Sequence, residues 1–352
     1  MELRYLDYSK VREFIEEMEA PTIVYHKDAD GVCSAALIQE ITSGVAMPND
    51  GPGINLSEGL LESLKESKSI VFLDIPVDQL SVVNELKEKK ILVLDHHPPK
   101  TNLTKGDVLH VNPRFETPDS YLPASYLSYK IIDGGYENIA WKAGVGVVGD
   151  HGVEDCKDLL KKVKQENFEA VGGKKLTYGE LKESKLGIIA DMIDASKAVK
   201  GLYGIKRSYE IIKKSKKPND VFKTELREYY ETYQKHLGIE MDKFEREAEY
   251  FPETNSYMHE ITSDYSLGSD LSTELSNKNP DAVIIVYQIE SYGMKISGRC
   301  QSGRVNVSDI IQKAVADHGS GGGHPQAAGG FVKKGKEKVA LERFRELLEG
   351  LN

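Results

Sequence analysis

The sequence predicts an α/β fold in three parts: an N-terminal domain on a parallel sheet, a helical connector, and a smaller C-terminal α/β domain. Three observations carry that expectation. In the first half, short and nearly continuous apolar runs alternate with helix-periodic segments, the pattern of a parallel sheet covered on both faces. From about 176 to 250 the chain is polar and helix-periodic throughout. In the last hundred residues, β-branched runs close around a short turn and a helix follows, as in a separate small domain. A chain of 352 residues exceeds what one core ordinarily fills. The expected divisions are 1–195, 196–255 and 256–352.

In chain order, strands are expected at "PTIVY" (21–25), "SIVFLD" (69–74), "KILVLD" (90–95) and "DVLHVN" (107–112). Helical periodicity marks "GVCSAALIQEIT", "LSEGLLESLKE" and "PVDQLSVVNELKEK" between them. Residues 123–134 read as a helix with Pro123 at its start, where a missing amide hydrogen costs nothing. The connector carries the basic run "KKSKKP" (213–218), and its lysines over 197–224 read first as a solvated helix face. A rival reading makes them a patch for single strands, with Tyr229, Tyr230 and Tyr233 stacking on bases. In the last part, "AVIIVYQIE" and "MKISGRC" flank "SYG" as a hairpin turning at Gly293, and a helix is expected near 307–317.

Composition narrows the function classes. With 39% apolar and 29% charged residues this is an ordinary globular chain, and its longest apolar runs, such as "AVIIVY", are far too short to cross a bilayer. No signal-peptide pattern opens the sequence, so a cytoplasmic protein without membrane attachment is expected. Cys33, Cys156 and Cys300 have no paired spacing, which excludes a disulfide framework and a thiolate metal site and leaves them as packing residues. A net charge of −10 argues against coating long duplex DNA. It leaves open a local basic groove, and a carboxylate cluster that gathers divalent cations.

The acids fall in a telling place. "HKDADG" follows the first strand with His26, Asp28 and Asp30, the strand at 69–74 ends on Asp74, and "VLDHHPP" ends the next strand on Asp95, His96 and His97. Ligands of open parallel sheets bind outside the carboxyl ends of the strands, so these groups converge on one rim. Asp150 of "KAGVGVVGDHG" closes the same site from a helix or loop. Oxygen and imidazole donors without sulfur suit manganese or magnesium over a structural zinc. So many carboxylates repel one another, and two divalent ions would nearly balance them, with one Asp bridging. Taken singly, each acid is more simply a turn or capping residue; in order and at successive element ends, the site reading prevails.

A second candidate lies in "GSGGGHPQAAGG" (319–330). Gly321, Gly322 and Gly323 let a ligand approach the backbone, and exposed amides in a turn there would form an anion-binding nest beside His324. Arg299 in "SGRC" ends the preceding strand and can give a bidentate phosphate contact.

In these motifs the chain resembles the DHH-family phosphoesterases with a DHH-associated C-terminal domain. "HKDADG", "VFLDIP", "VLDHHPP", "GVVGDHG" and "GGGHPQAAGG" resemble its successive signatures. Within the family it resembles archaeal RecJ-like nucleases and bacterial oligoribonucleases of the NrnA type. The resemblance implies two divalent cations, manganese preferred and magnesium accepted. His26, Asp28 and Asp74 would hold one; Asp30, Asp74, His96 and Asp150 would hold the other. It implies His97 beside the scissile phosphate, Asp95 orienting the histidines, and Arg299 and His324 holding substrate phosphates from across an interdomain cleft. The implied activity is release of mononucleotides from single-stranded DNA or RNA. The alternatives are a phosphodiesterase or phosphatase for short oligonucleotides, dinucleotides or a phosphorylated adenosine, and a replication scaffold with little activity. Single strands or short oligonucleotides are the expected partners, with a replisome or helicase protein as a further one.

Overall fold

The computed structural model describes residues 7–86, 88–132 and 135–351. The chain divides into two compact units, the first reaching Tyr230 and the second starting at Glu231, with the division inside the helix Glu225–Glu247.

The first unit is built on a five-stranded parallel sheet of β1 (Thr22–Tyr25), β2 (Val45–Pro48), β3 (Ser69–Leu73), β4 (Lys90–Leu94) and β5 (Val108–Val111). Their order is β2-β1-β3-β4-β5. Alternate residues serve opposite faces, as the strand period requires. Val24, Ile70, Phe72, Ile91, Val93 and Val108 enter one core cluster. Ile23, Tyr25, Val71, Leu73, Leu92 and Leu94 enter the other, larger one. The helices Ala29–Ile38, Ala124–Ile132, Ala140–Gly149 and Lys185–Lys214 cover that second face.

Four strands lie where the apolar runs predict them. The edge strand β2 escaped the sequence reading because "VAMP" is short and half exposed, with no alternation to see. The helix expected over "PVDQLSVVNELKEK" is broken into a turn at Val77–Gln79 and a single helical turn at Val82–Glu85. Asp78 is drawn away to accept the amides of Lys100 and Thr101. Lys87 within that segment, and Asp133 and Gly134 at the end of the helix expected over 123–134, lie outside the described residues.

The second unit holds a six-stranded mixed sheet of β6 (Glu249–Phe251), β7 (Ser256–Glu260), β8 (Val283–Glu290), β9 (Gly293–Arg299), β10 (Gly319–His324) and β11 (Ala327–Lys333). The order is β10-β11-β9-β8-β7-β6, with only β7 and β8 parallel. The hairpin of β8 and β9 turns through Ser291 and Tyr292 rather than at Gly293, which opens β9 with a φ of 154°, outside the usual range of other residues. The helices Val307–Val315 and Glu337–Glu349 share the core of this unit through Ile311, Phe344 and Leu348. All three cysteines are buried and free, as packing residues are. Among the described residues no helix is long and apolar enough to cross a membrane.

Candidate metal centre

The strand order reverses direction between β1 and β3, and a crevice opens at the carboxyl ends of strands on either side of such a switch point. The polar residues stand one position beyond the strands. His26 still donates its amide to Leu73 O (3.2 Å), Asp74 to Leu94 O (2.9 Å) and Asp95 to Val111 O (3.1 Å). The ladder therefore fixes their backbones even though their side chains have left the core. Asp74 turns with φ 59°, a left-handed conformation that Asp tolerates better than most residues.

Two ligand groups assemble around Asp74. In the first, His26 Nδ1 contacts an Asp28 carboxylate oxygen and lies 3.2 Å from Asp74 Oδ2. Asp28 is also the N-cap of the helix Ala29–Ile38, where its Oδ1 accepts the Gly31 amide at 2.9 Å. In the second, Asp30, His96 and Asp150 bring one donor atom each within 4.8 Å of one another. His96 Nε2 is 3.2 Å from Asp74 Oδ1 and 3.3 Å from Asp150 Oδ2. Asp74 thus turns one oxygen to each group, which is the disposition of a bridging ligand.

The supports of these groups are equally specific. Asp30 is buried and accepts the amides of Ala124 (2.7 Å) and Ser125 (2.9 Å) at the start of the helix Ala124–Ile132. Those bonds and the positive helix end hold its charge, and each oxygen keeps a lone pair for a cation. Asp150 caps the C-terminus of the helix Ala140–Gly149, with His151 next in the left-handed region at φ 60°. Gly152 N bonds Val147 O (2.9 Å) and His151 N bonds Val148 O (3.3 Å), the reversal that usually places glycine where His151 stands.

The donor set fits a divalent ion. His96 Nε2 and Asp150 Oδ2 are buried and face one another, yet neither has a hydrogen-bond partner. A cation between them would satisfy both. Proton affinities tell the same story in the metal-free protein. Burial and the Asp30 charge push the Asp150 carboxyl up to about 8. Burial and the charges of Asp28 and Asp30 hold Asp74 well above the usual carboxylate range, and burial raises Asp30. Burial works against a charged His26, but Asp28 and Asp74 outweigh it and lift the imidazole to about 11. Protons occupy the places that a metal would take.

His97 forms a third donor group with Asp74 and His96, and its hydrogen bonding distinguishes it from the other two groups. Its Nδ1 pairs with Asp95 Oδ1 at 2.8 Å, and its carbonyl accepts from Asn112 Nδ2 at 2.9 Å. With Nδ1–H directed at the carboxylate, Nε2 is left for another partner. Burial opposes its charge, and the contact with Asp95 outweighs that to raise it. His97 Nδ1 also approaches Asp74 Oδ1 at 3.8 Å.

Several contributors were not visible in the sequence. A Cβ on Gly146 would lie 2.3 Å from Ser125 Oγ and 2.9 Å from Asp30 Oδ1, so only glycine lets that helix pass the acid. A Cβ on Gly31 would meet the His26 carbonyl at 2.4 Å. Tyr121 stands edge-on to His96, with ring centroids 5.2 Å apart, and burial and the Asp150 charge raise its phenol. Gly31 and Gly146 lie inside motifs already singled out, though without a role assigned; Ser125 and Tyr121 carried no local signal.

Arg299 and His324 belong to the second unit, where strand register brings them together. His324 pairs with Ala327 and Ala327 with Arg299, so they share one row and one face, about 10 Å apart by strand spacing. The Arg299 guanidinium is aimed by Thr273 Oγ1 (3.2 Å), Ser269 Oγ (3.1 Å) and Gly298 O (2.9 Å). The glycines do not form the expected turn. Gly321, Gly322 and Gly323 lie in β10, at the sheet edge. Close helix packing is the reason: a Cβ on Gly321 or Gly330 would come within 2.7 Å of Ile311 Cγ2. The tyrosines of the rival stacking reading are packed, with Tyr229 and Tyr230 against the first core and Tyr233 donating to Asp270 at 2.6 Å.

Comparison with known proteins follows this geometry. The model of the DHH family N-terminal domain matches residues 22–169, and that of the DHHA1 domain matches 256–350. A search of curated proteins gave no match. RecJ from Thermus thermophilus in complex with Mn2+ superposes with a TM-score of 0.71 at 15% identity, over 98% of this chain and 55% of that one. The chain thus spans about half the length of that relative. An exonuclease RecJ bound to manganese gives 0.68 at 16% identity, over 98% and 95% of the two chains. The pGpG-specific phosphodiesterase PggH from Vibrio cholerae gives 0.51 at 12% identity, over 93% and 97%. At such identities the likeness is one of fold. With both domain models matched in order, and the Asp and His groups of the motifs gathered at one switch point, the chain belongs to the DHH family: it is a DHH-family phosphoesterase with a DHHA1 domain.

Proposed function

We propose that the protein is a manganese-dependent phosphodiesterase that releases mononucleotides from an end of single-stranded DNA or RNA. The observation that carries this reading is the pair of ligand groups sharing Asp74, one oxygen turned to each. Two divalent ions, manganese preferred and magnesium accepted, would activate water and neutralise phosphoryl charge. His26, Asp28 and Asp74 would hold one ion; Asp30, Asp74, His96 and Asp150 would hold the other.

The remaining roles fall to the chain's own groups. His97, its Nδ1 engaged by Asp95, offers Nε2 to the leaving oxygen and donates a proton there. Asp95 keeps that ring in one tautomer and supports its charge. Arg299 and His324 bind phosphate oxygens on their shared sheet face, where the bare backbone of Gly329 leaves room for a strand. Gly321, Gly322 and Gly323 contribute through the free edge of β10.

A second reading is a phosphodiesterase for dinucleotides and very short oligonucleotides, favoured by the likeness to the pGpG-specific enzyme. A scaffold with little activity is disfavoured because all six ligand positions are filled. The test is digestion of end-labelled DNA and RNA strands from two to thirty nucleotides with manganese, beside Asp74→Asn. A ladder from one end that vanishes in the variant supports the exonuclease. Turnover of only the shortest strands moves the assignment to the second reading. Internal cuts in a circular single strand would sink the exonucleolytic claim.

A further inference from the structure

The connector helix Lys185–Lys214 is not straight. Ser196 and Ser208 lie twelve positions apart, about 18 Å along a regular helix, yet their Oγ atoms are 2.8 Å apart. The chain reverses at Gly201, whose φ of 58° and ψ of −141° are closed to other residues. A Cβ on Gly204 would lie 2.0 Å from the Ser196 carbonyl, so the second arm packs directly on the first. Such a corner turns its tip outward. Leu202 is exposed there, and Tyr203 is 60% exposed.

The arm leading to the tip touches the metal centre's rim through Lys197. Lys197 Nζ donates to Lys27 O at 3.0 Å, and Lys27 lies between the candidate ligands His26 and Asp28. Lys27 itself donates to Gly51 O. Both lysine side chains are thus anchored on the backbone beside the ligand shell. Farther along, Lys200 Nζ lies 5.9 Å from the centre of the Tyr229 ring. Tyr203 and Tyr229 both act on Arg207, whose Nε is held by Glu225 at 2.7 Å. Cations and an exposed ring therefore run in sequence away from the centre, until Glu225 and Glu210 end the basic run. Asp28 and Asp50 act on these ammonium groups from within the chain, while Lys197 and Lys200 stay exposed to solvent.

We propose that Lys27, Lys197 and Lys200, with the exposed ring of Tyr203, form a track for two or three consecutive phosphates of a single strand leading from the metal centre. The inference rests on the nucleic-acid reading above and extends it: the track selects strands longer than a dinucleotide. Lysines bind successive phosphates as point charges, and a base stacks on Tyr203. A dinucleotide, held at the metals alone, does not reach it.

The test separates binding from turnover. Binding of a labelled twenty-nucleotide strand is read by fluorescence anisotropy in the Asp74→Asn protein, with and without Lys197→Ala/Lys200→Ala, over a salt series. The track predicts about tenfold weaker binding and a salt slope shallower by about 0.7 for each phosphate no longer neutralised. Lys197→Arg/Lys200→Arg should restore both, and Tyr203→Phe should bind as before while Tyr203→Ala weakens. With Asp74 intact, turnover of the twenty-nucleotide strand should fall several-fold more than dinucleotide turnover. Equal binding with and without the lysines overturns the proposal, as does equal loss on dinucleotide and long strand, which would mark a structural role. If the wild type cuts no strand at all but the binding difference persists, the nucleolytic reading fails and the track stands.

Discussion

The two candidate binding regions are built on opposite principles. Around Asp74, charge is crowded: five carboxylates and three imidazoles occupy one rim, and burial with mutual repulsion pushes several away from their ordinary proton affinities. On the second sheet, side chains are removed: glycines at 321, 329 and 330 clear the backbone, and one aimed guanidinium shares a face with one imidazole. The first region is incomplete without a cation. The second is complete as folded, since its constraints are steric. A site built on repulsion exchanges stability for affinity, whereas a site built on close packing needs the fit for folding itself.

Substitutions break this contrast cleanly. Asp74→Asn keeps a residue that accepts φ 59° but removes the shared charge. Manganese-dependent turnover should fall by about a thousandfold or more, equivalent to roughly 4 kcal/mol at 1.36 kcal/mol per decade. The metal-free melting temperature should hold or rise, because repulsion with Asp28 and Asp30 is relieved; a drop of many degrees would refute the strain argument. Glycine substitutions reverse the pattern. Gly321→Val forces Ile311 aside and should cost about 1–3 kcal/mol of stability, read by denaturant unfolding, without changing manganese affinity. Gly146→Val presses on Ser125 and Asp30, and should lower stability by a similar amount while also weakening manganese binding in a calorimetric titration. If both glycine variants left metal affinity alike, the distinction would collapse.

The same contrast explains what the sequence disclosed. The metal rim was legible because parallel strands are read from apolar runs, and polar residues that end three strands on one rim are hard to account for as loop starts alone. Charge balance asks for one bridging Asp, and the resemblance implies that it is Asp74. Gly146, Ser125 and Tyr121 were not legible, since each acts through a contact with a residue distant in sequence. The glycine run reads as a turn because glycine carries no strand propensity, and only the register with β11 and the nearness of Ile311 make a strand of it. The break in the connector at Gly201 was equally hidden, since periodicity continues across it.

A smaller effect tests the steric region directly. Arg299→Ala should raise the KM for a phosphodiester substrate about tenfold, near 1.4 kcal/mol, with kcat little changed. Arg299→Lys should not fully restore it, because Thr273 and Ser269 aim a planar fork that an ammonium does not reproduce. A fall in kcat alone would place Arg299 in the chemistry rather than in substrate binding.

The smallest predicted effect is a slope. In metal-free protein, Asp150 with a folded value of about 8, together with the raised Asp30 and Asp74, binds more protons than the unfolded chain above the ordinary carboxylate range near 3.8. Stability from these groups is therefore lost as pH rises from about 4 to about 8. His26, raised from 6.5 to about 11, adds a loss of the same sign above pH 6.5. Asp28, whose carboxyl is lowered by His26 against the cost of burial, acts in the opposite sense only below pH 4. Thermal melts in a chelator should thus fall by a few degrees between pH 5 and 8. With saturating manganese the slope should flatten or reverse, since the metal displaces those protons and its affinity rises as they leave. A chelated protein whose melting temperature climbs across that range would mean that the carboxylates around Asp74 are not held in opposition, and that the rim is not poised for cations.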